Sequence, residues 1–157
     1  MILTFTNTMI RKYTKKDKSD ILELLLQNTP EYFDPSEETE FINYLDNELE
    51  DYFVYEVNAK IIGAGGINYF LEEKSARISW DMVDSKSQGK GIGKKLTQYR
   101  INHLKRNPEI DIIRVRTSQH AYKFYEKMGF ELEKIEKEYW AKNFDLYLMQ
   151  MKNETNT

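Results

Sequence analysis

The chain contains no cysteine, which excludes disulfide bridges, a thiolate nucleophile and cysteine-based metal sites. Histidine is nearly as scarce. Only His103 and His120 could supply imidazole ligands. His103 falls on a helical stretch near Arg100 and Arg106, where a surface role fits better, so no metal site is expected. No apolar run approaches the roughly 20 residues that span a bilayer. The opening Met1 to Ile10 alternates apolar and polar residues and is too short and too polar for a signal peptide. An excess of positive charge is also lacking: 23 Lys and Arg stand against 26 Asp and Glu, a net charge of −3. A basic surface, the usual footprint of nucleic-acid binding, is therefore not expected. These absences together predict a cytoplasmic protein with neither membrane nor nucleic acid as partner.

What is present describes one globular domain. At 157 residues with 40% hydrophobic and 31% charged content, the chain is long enough to bury a core and has ordinary soluble composition. The expected domain runs over residues 9–152, with a disordered tail at 153–157. No internal repeat or low-complexity linker interrupts it. Met9 to Tyr13 reads as a first strand. A helix follows over Asp20 to Gln27, with Ser19 as its N-cap. A second helix opens at Asp34-Pro35-Ser36-Glu37, where Glu37 completes a capping box, and Phe41, Tyr44, Leu45 and Leu49 recur at helical spacing. Tyr52 to Val57 and Ile61 to Phe70 are strands joined by the hairpin signal Asn58-Ala59-Lys60. Ala76 to Val83 is a fourth strand. A helix from Ile92 to about Arg106 carries Leu96, Tyr99 and His103/Leu104 on one side. Ile110 to Thr117 is a fifth strand, and a helix from Gln119 to Met128 ends at a left-handed Gly129. Glu131 to Tyr139 and Asp145 to Lys152 form a final hairpin.

Glycine is sparse, and three of the seven fall within Gln88-Gly89-Lys90-Gly91-Ile92-Gly93-Lys94-Lys95. This segment joins the fourth strand to the long helix. A glycine-rich turn there frees backbone N–H groups, the helix dipole adds positive potential, and three lysines reinforce it, so a phosphate is the natural ligand. The mononucleotide loop G-x-x-x-x-G-K-[ST] fails, because Lys94 stands five residues after Gly89. The dinucleotide fingerprint G-x-G-x-x-G fails as well, because Lys94 follows Gly91 by three. What remains is Q-x-x-G-x-G, read as Gln88, Gly91 and Gly93. Just over thirty residues later comes His120-Ala121-Tyr122-Lys123-Phe124-Tyr125-Glu126-Lys127-Met128-Gly129-Phe130.

In this order and spacing the two segments resemble the signatures of the GNAT superfamily of N-acetyltransferases, the second as A-x-x-F-Y-E-K-x-G-F. The resemblance covers about Met9 to Lys152 and is strongest from Ala76 to Phe130. It implies an α/β (α+β) fold: a mixed, mostly antiparallel seven-stranded sheet, splayed between its fourth and fifth strands and flanked by about four helices. It implies acetyl-CoA as donor substrate, gripped by Gln88 and by the backbone of Gly89, Lys90, Gly91, Ile92, Gly93 and Lys94. Val83 would offer backbone bonds to the pantetheine arm, with Met82 and Asp84 sharing that edge. Ser118 and Gln119 stand where the family often has asparagine, and Ser118 and Tyr122 join the candidate cofactor contacts.

Tyr125 matches the family tyrosine that protonates the departing thiolate. Ala121, Phe124, Tyr125 and Met128 also follow a core-stripe spacing, so packing is the competing role. Asp81, two residues before Val83 and on the same strand face, is the candidate general base, with a substrate ammonium contact as its alternative. Trp80 should face the other way, into the core. Relatives acting on ribosomal protein N-termini often carry glutamate on the fifth strand, whereas this chain reads Ile113-Arg114-Val115-Arg116. Glu31-Tyr32-Phe33-Asp34 and Tyr139-Trp140-Ala141-Lys142-Asn143-Phe144-Asp145 set aromatics beside acids. That suits a pocket for a cationic amine, and equally a homodimer interface. The implied activity is direct acetyl transfer to a primary amine of a small molecule. A protein or peptide acetyltransferase and a non-catalytic acyl-CoA sensor are the alternatives.

Overall fold

Period-two strands and period-three-and-a-half helices assemble into one mixed sheet with helices on both faces. The computed structural model describes residues 7–154. In chain order the elements are β1 (Thr8–Lys12), α1 (Lys18–Gln27), α2 (Glu37–Asn43), β2 (Asp51–Val57), β3 (Lys60–Phe70), β4 (Ser75–Val83), α3 (Ile92–Lys105), β5 (Ile112–Thr117), α4 (Tyr122–Lys127), β6 (Glu131–Ala141) and β7 (Phe144–Lys152). The strands form a seven-stranded sheet in the order β1-β2-β3-β4-β5-β7-β6. Only β4 and β5 pair in parallel; every other neighbour is antiparallel. This is the mixed, splayed α/β architecture that the motifs implied.

Local chemistry explains the turns. Asn58 and Ala59 both take positive φ (49° and 67°) between β2 and β3, as a two-residue hairpin turn requires. Gly129, at φ 105°, ends α4, and Phe130 N–H returns to the Tyr125 carbonyl at 3.0 Å. Helix α1 starts earlier than Ser19 predicts. A 3₁₀ turn over Lys15–Asp17 precedes it, held by the Asp17 carboxylate accepting the Thr14 N–H at 2.8 Å. Helix α4 starts later than predicted, because Ser118 to Ala121 form a turn in which Tyr122 N–H reaches the Ser118 carbonyl. Helix α2 runs on into a π-helical turn at Tyr44–Glu48.

The core lies on two sides of the sheet. One cluster packs α3 and α4 through Leu96, Ile101, Leu104 and Tyr125 against Ile78, Ile113 and Val115. The other packs α1 and α2 through Ile21, Leu25, Phe41 and Tyr44 against Tyr52, Val54 and Met82. Each fully buried aliphatic or aromatic side chain contributes about 1.5–3 kcal/mol. The edge strand β6 is exposed along almost its whole length and alternates Glu and Lys, which discourages edge-to-edge pairing. Asn153 corrects the expected tail boundary. It is buried, and its side-chain amide donates to the Leu104 and Ile110 carbonyls at 2.9 and 2.8 Å. Residues 155–157 of that tail and residues 1–6 lie outside the described residues. Among the described residues, no helix is long and apolar enough to cross a membrane.

Candidate active site

Strands β4 and β5 pair only from Ser75–Ile112 to Ile78–Val115 and then separate. Their divergence opens a cavity of about 1160 Å³ that runs from the loop before α3 to the wall formed by α2. The geometry of its middle is set by a bulge in β4. Ala64 pairs with Met82 and Gly66 with Ser79, so Gly65 alone opposes Trp80 and Asp81. Trp80 sits at φ 52°, an uncommon conformation for so bulky a residue. Its carbonyl accepts the Tyr52 hydroxyl at 3.0 Å, and its ring packs among Phe33, Phe41 and Tyr44. The extra residue switches the strand's parity, so that both Ile78 and Asp81 face α3.

What Asp81 meets there is Arg100. This guanidinium, with a side chain only 1% exposed, donates to both Asp81 oxygens at 2.5 and 2.8 Å. It also donates to the Gly66 carbonyl at 3.0 Å and to Leu96 in its own helix at 3.1 Å. Gly65 is what admits it: a Cβ at that position would lie 2.7 Å from the guanidinium. The third member is Tyr125 of α4, whose hydroxyl donates to Asp81 Oδ2 at 2.5 Å. Burial pushes the Tyr125 phenol well above its ordinary range, and the Asp81 charge adds to the rise while Arg100 opposes it. Burial, the largest influence, would lower Arg100, but the Asp81 charge and hydrogen bonds together with Tyr125 and Tyr52 outweigh it and hold the guanidinium above its usual value. Arg100, Asp81 and Tyr125 thus form one largely buried, hydrogen-bonded unit at the point where the sheet splits.

The donor half of the cavity begins at the glycine loop. Gly89 and Gly91 take φ 83° and 79°, with open space where a Cβ would project. Gly91 caps the 14-residue α3, whose first N–H groups point toward the cavity mouth. Phe124 overhangs this turn, 3.4 Å from where a Cβ on Gly93 would sit. Gln88, Gly89, Ile92, Gly93 and Lys94 line the cavity. Lys90 is exposed and outside the lining.

The strand edge follows from ladder alternation. Asp84 N–H bonds the Ile62 carbonyl at 2.8 Å, so the next pair, Gly63–Val83, turns its polar groups away from its partner strand. The Val83 carbonyl accepts Asn28 Nδ2 at 3.0 Å, and its N–H is directed at the cleft. The same alternation corrects two expectations. Met82 directs its backbone at β3 and buries its side chain among α1 and α2, and Asp84 is buried with its carboxylate on the Lys86 N–H. Neither shares the Val83 backbone edge, although Met82 lines the cavity.

Two further assignments move. Tyr122 packs on Tyr147, with ring centroids 4.7 Å apart, and does not line the cavity, whereas Ser118 does and accepts the His120 N–H. From Tyr139 to Asp145 only Trp140 and Phe144 reach the cavity. Asp145 is instead committed to the β6 irregularity, accepting Glu138 N–H at 2.9 Å. Sequence reasoning missed Arg100 and Asn28. For Arg100 the signal was available: Leu96, Thr97, Ile101 and Leu104 surround it on the buried stripe of α3. Asn28 gave none, since it caps α1 and reaches Val83 and Gln88 only through the fold.

On the acceptor wall Glu37 is buried and its carboxylate accepts the Asp34 N–H at 2.8 Å. Burial pushes its acid up to about 7 from 4.5, with Glu40 and Asp34 adding to the rise. Between those two values the folded chain holds a proton that the unfolded chain releases, so stability falls as pH rises. Glu37→Gln keeps an acceptor for Asp34 without the charge. It is expected to match the wild type near pH 4.5 and to exceed it at pH 8 by up to about 3 kcal/mol. Urea denaturation at the two pH values measures this, and equal gaps at both would refute it.

Comparisons with known proteins agree with this architecture. A family model described as the acetyltransferase (GNAT) domain matches residues 13–153. The chain therefore belongs to the GNAT acetyltransferase family. No curated protein matches it in sequence. Among solved structures, a ribosomal-protein-alanine N-acetyltransferase from Brucella melitensis superposes with a TM-score of 0.70 at 20% identity, covering 92% of this chain and 99% of that one. A spermidine N-acetyltransferase from Vibrio cholerae, in complex with CoA and spermine, gives 0.73 at 20%, with 94% and 96% covered. An aminoglycoside 6'-N-acetyltransferase complexed with coenzyme A gives 0.74 at 16%, with 95% and 99% covered. At these identities the likeness is one of fold.

Proposed function

We propose that this protein transfers the acetyl group of acetyl-CoA directly to a primary amine of a small molecule. The observation that carries the reading is the single cavity joining the α3 N-terminal loop to the Tyr125 hydroxyl through the β4–β5 split. The residues fit the donor. Backbone N–H groups at Gly91 to Lys94 and the helix dipole suit the pyrophosphate, and the Val83 N–H suits an amide or thioester carbonyl. Solved relatives of the same fold were captured with CoA, which supports the same donor here.

In this reading the amine nitrogen attacks the thioester carbon, the new C–N bond forms and the C–S bond breaks. The leaving thiolate takes its proton from Tyr125, and the amine loses its own to water in the cleft. Without cysteine the chain offers no thiol to carry the acetyl group. The raised phenol remains protonated at neutral pH, and the same poorly solvated surroundings make the thiolate more basic, so donor and acceptor stay matched. Asp81 acts as a positioning residue in this scheme. Both of its oxygens already accept from Arg100, which makes it a poor acceptor for a further proton and a good anchor for the Tyr125 hydroxyl.

Thiol release from acetyl-CoA over amino acids, polyamines, aminoglycosides and short peptides tests the reading. Release dependent on a small amine is expected. Release with peptides alone would move the assignment to a protein acetyltransferase, and tight acetyl-CoA binding with no release would leave a sensor.

A further inference from the structure

We propose that the acceptor is a primary amine joined through several bonds to an oxyanion, a carboxylate or a phosphate, which Arg77 and Arg116 hold between them. The inference rests on the transferase reading for the amine and on the arginines themselves for the oxyanion. Ala76, Ile78, Ile113 and Val115 point into the core beneath α3. By alternation Arg77 of β4 and Arg116 of β5 point to the other face, on the floor of the acceptor half. Arg116 lies one residue past the last β4–β5 pair, so the two flank the start of the split.

Their partners set them apart from the other shielded arginines. Arg11 is paired with Asp17 and Glu56, Arg100 with Asp81, and Arg114 with Glu73 and Glu133. Among the described residues Arg77 and Arg116 have no carboxylate within 4 Å. Instead Arg77 lies over Phe70 at 4.9 Å, and Arg116 over Trp140 at 4.9 Å and Tyr139 at 5.4 Å. A cation–π contact does not use up the guanidinium N–H donors, which stay able to meet a ligand. Burial, and then the charge of Arg116, pull Arg77 below its ordinary value.

Of the acids lining the same cavity, Glu40 is exposed and the others are engaged, Asp81 by Arg100. Glu50 accepts from Asn68 and the Tyr69 N–H, Glu48 from Asn43, and Glu37 from the Asp34 N–H. An entering oxyanion would relieve two half-buried cations with charge-assisted, fork-shaped hydrogen bonds. Arg77 stands four residues before Asp81, and with the bulge between them the span matches Asn68 to Gly65 on β3, about 10 Å along a strand. Its long side chain closes part of that gap. A long ω-amino acid therefore fits better than glycine.

The test compares ε-aminohexanoate, ω-aminohexyl phosphate, hexylamine and glycine as acceptors, by thiol release at saturating acetyl-CoA. The expected result is a kcat/KM at least about tenfold higher for one of the two oxyanion amines than for hexylamine. Which of them leads tells carboxylate from phosphate. The Arg77→Gln and Arg116→Gln variants should bring that ratio toward one, with circular dichroism verifying their fold. Hexylamine or a polyamine turning over as well as either oxyanion amine would overturn the inference and leave the transferase reading standing. If no amine turns over, calorimetry on the CoA-saturated protein decides. ε-Acetamidohexanoate or ω-acetamidohexyl phosphate binding to wild type, and at least about tenfold more weakly to both variants, would uphold the oxyanion site while the transferase reading falls. Binding of neither, or binding indifferent to both arginines, would overturn it.

Discussion

Arg100→Met is expected to lower the unfolding free energy by about 3–5 kcal/mol, the usual cost of removing one member of a buried ion pair. The side chain is 1% exposed and its partner Asp81 is 19% exposed, so water screens the orphaned carboxylate only partly. The Gly66 carbonyl loses its donor in the same step. Natural domains hold about 5–15 kcal/mol in total, so the variant would be marginal and its midpoint lower by roughly 10 °C. Methionine fills much of the arginine's length, which separates the electrostatic loss from a cavity. Pairing it with Asp81→Leu should recover much of the loss, because no uncompensated charge then remains. It should not recover turnover, since Tyr125 would have no acceptor to hold its hydroxyl. Urea denaturation of the single and double variants measures the coupling. A double variant no more stable than Arg100→Met would show that the pair matters for packing rather than charge.

Much of this fold was legible because local and global signals agree. Asn58-Ala59, Gly129 and the apolar periodicity of α3 each name a conformation that the tertiary structure also requires. The order of strands and helices, with the split between β4 and β5, followed from the two motifs. The middle of the site was harder to read. Plain alternation places Asp81 with Val83 and opposite Trp80, as the structure also has them, yet it gives no sign of the bulge that switches parity before Trp80. The only trace of the bulge is Gly65-Gly66 within a strand, where an absent side chain leaves room for a neighbour. That neighbour is Arg100, 35 positions later in sequence, and no spacing rule connects the two. Tyr122 left the cavity for the complementary reason: it sits inside a recognised segment, but the late start of α4 turns it onto Tyr147. Met82 lines the cavity, while ladder phase turns its backbone toward β3. Asp145 likewise looked like a pocket acid and instead satisfies backbone in β6.

Tyr125→Phe is expected to lower kcat by about a hundredfold or more, the range in which a positioned general acid contributes. The stability cost should stay near 1–2 kcal/mol. The ring keeps its contacts with Phe124 and Phe130, and Asp81 keeps both Arg100 hydrogen bonds. A large stability loss with unaltered turnover would place Tyr125 in the core alone. The pH profile supplies a second readout. Burial and then the Asp81 charge hold the phenol well above its ordinary range, so its proton is present through neutral pH and is lost only as pH rises through that elevated value. The wild-type alkaline limb should therefore lie above the usual tyrosine range and be missing from the phenylalanine variant. Asp81→Asn removes the carboxylate's contribution while Arg100 remains, which draws the phenol down. Its alkaline limb should move to lower pH. A merely structural Asp81 would change the height of the profile and leave the limb where it was.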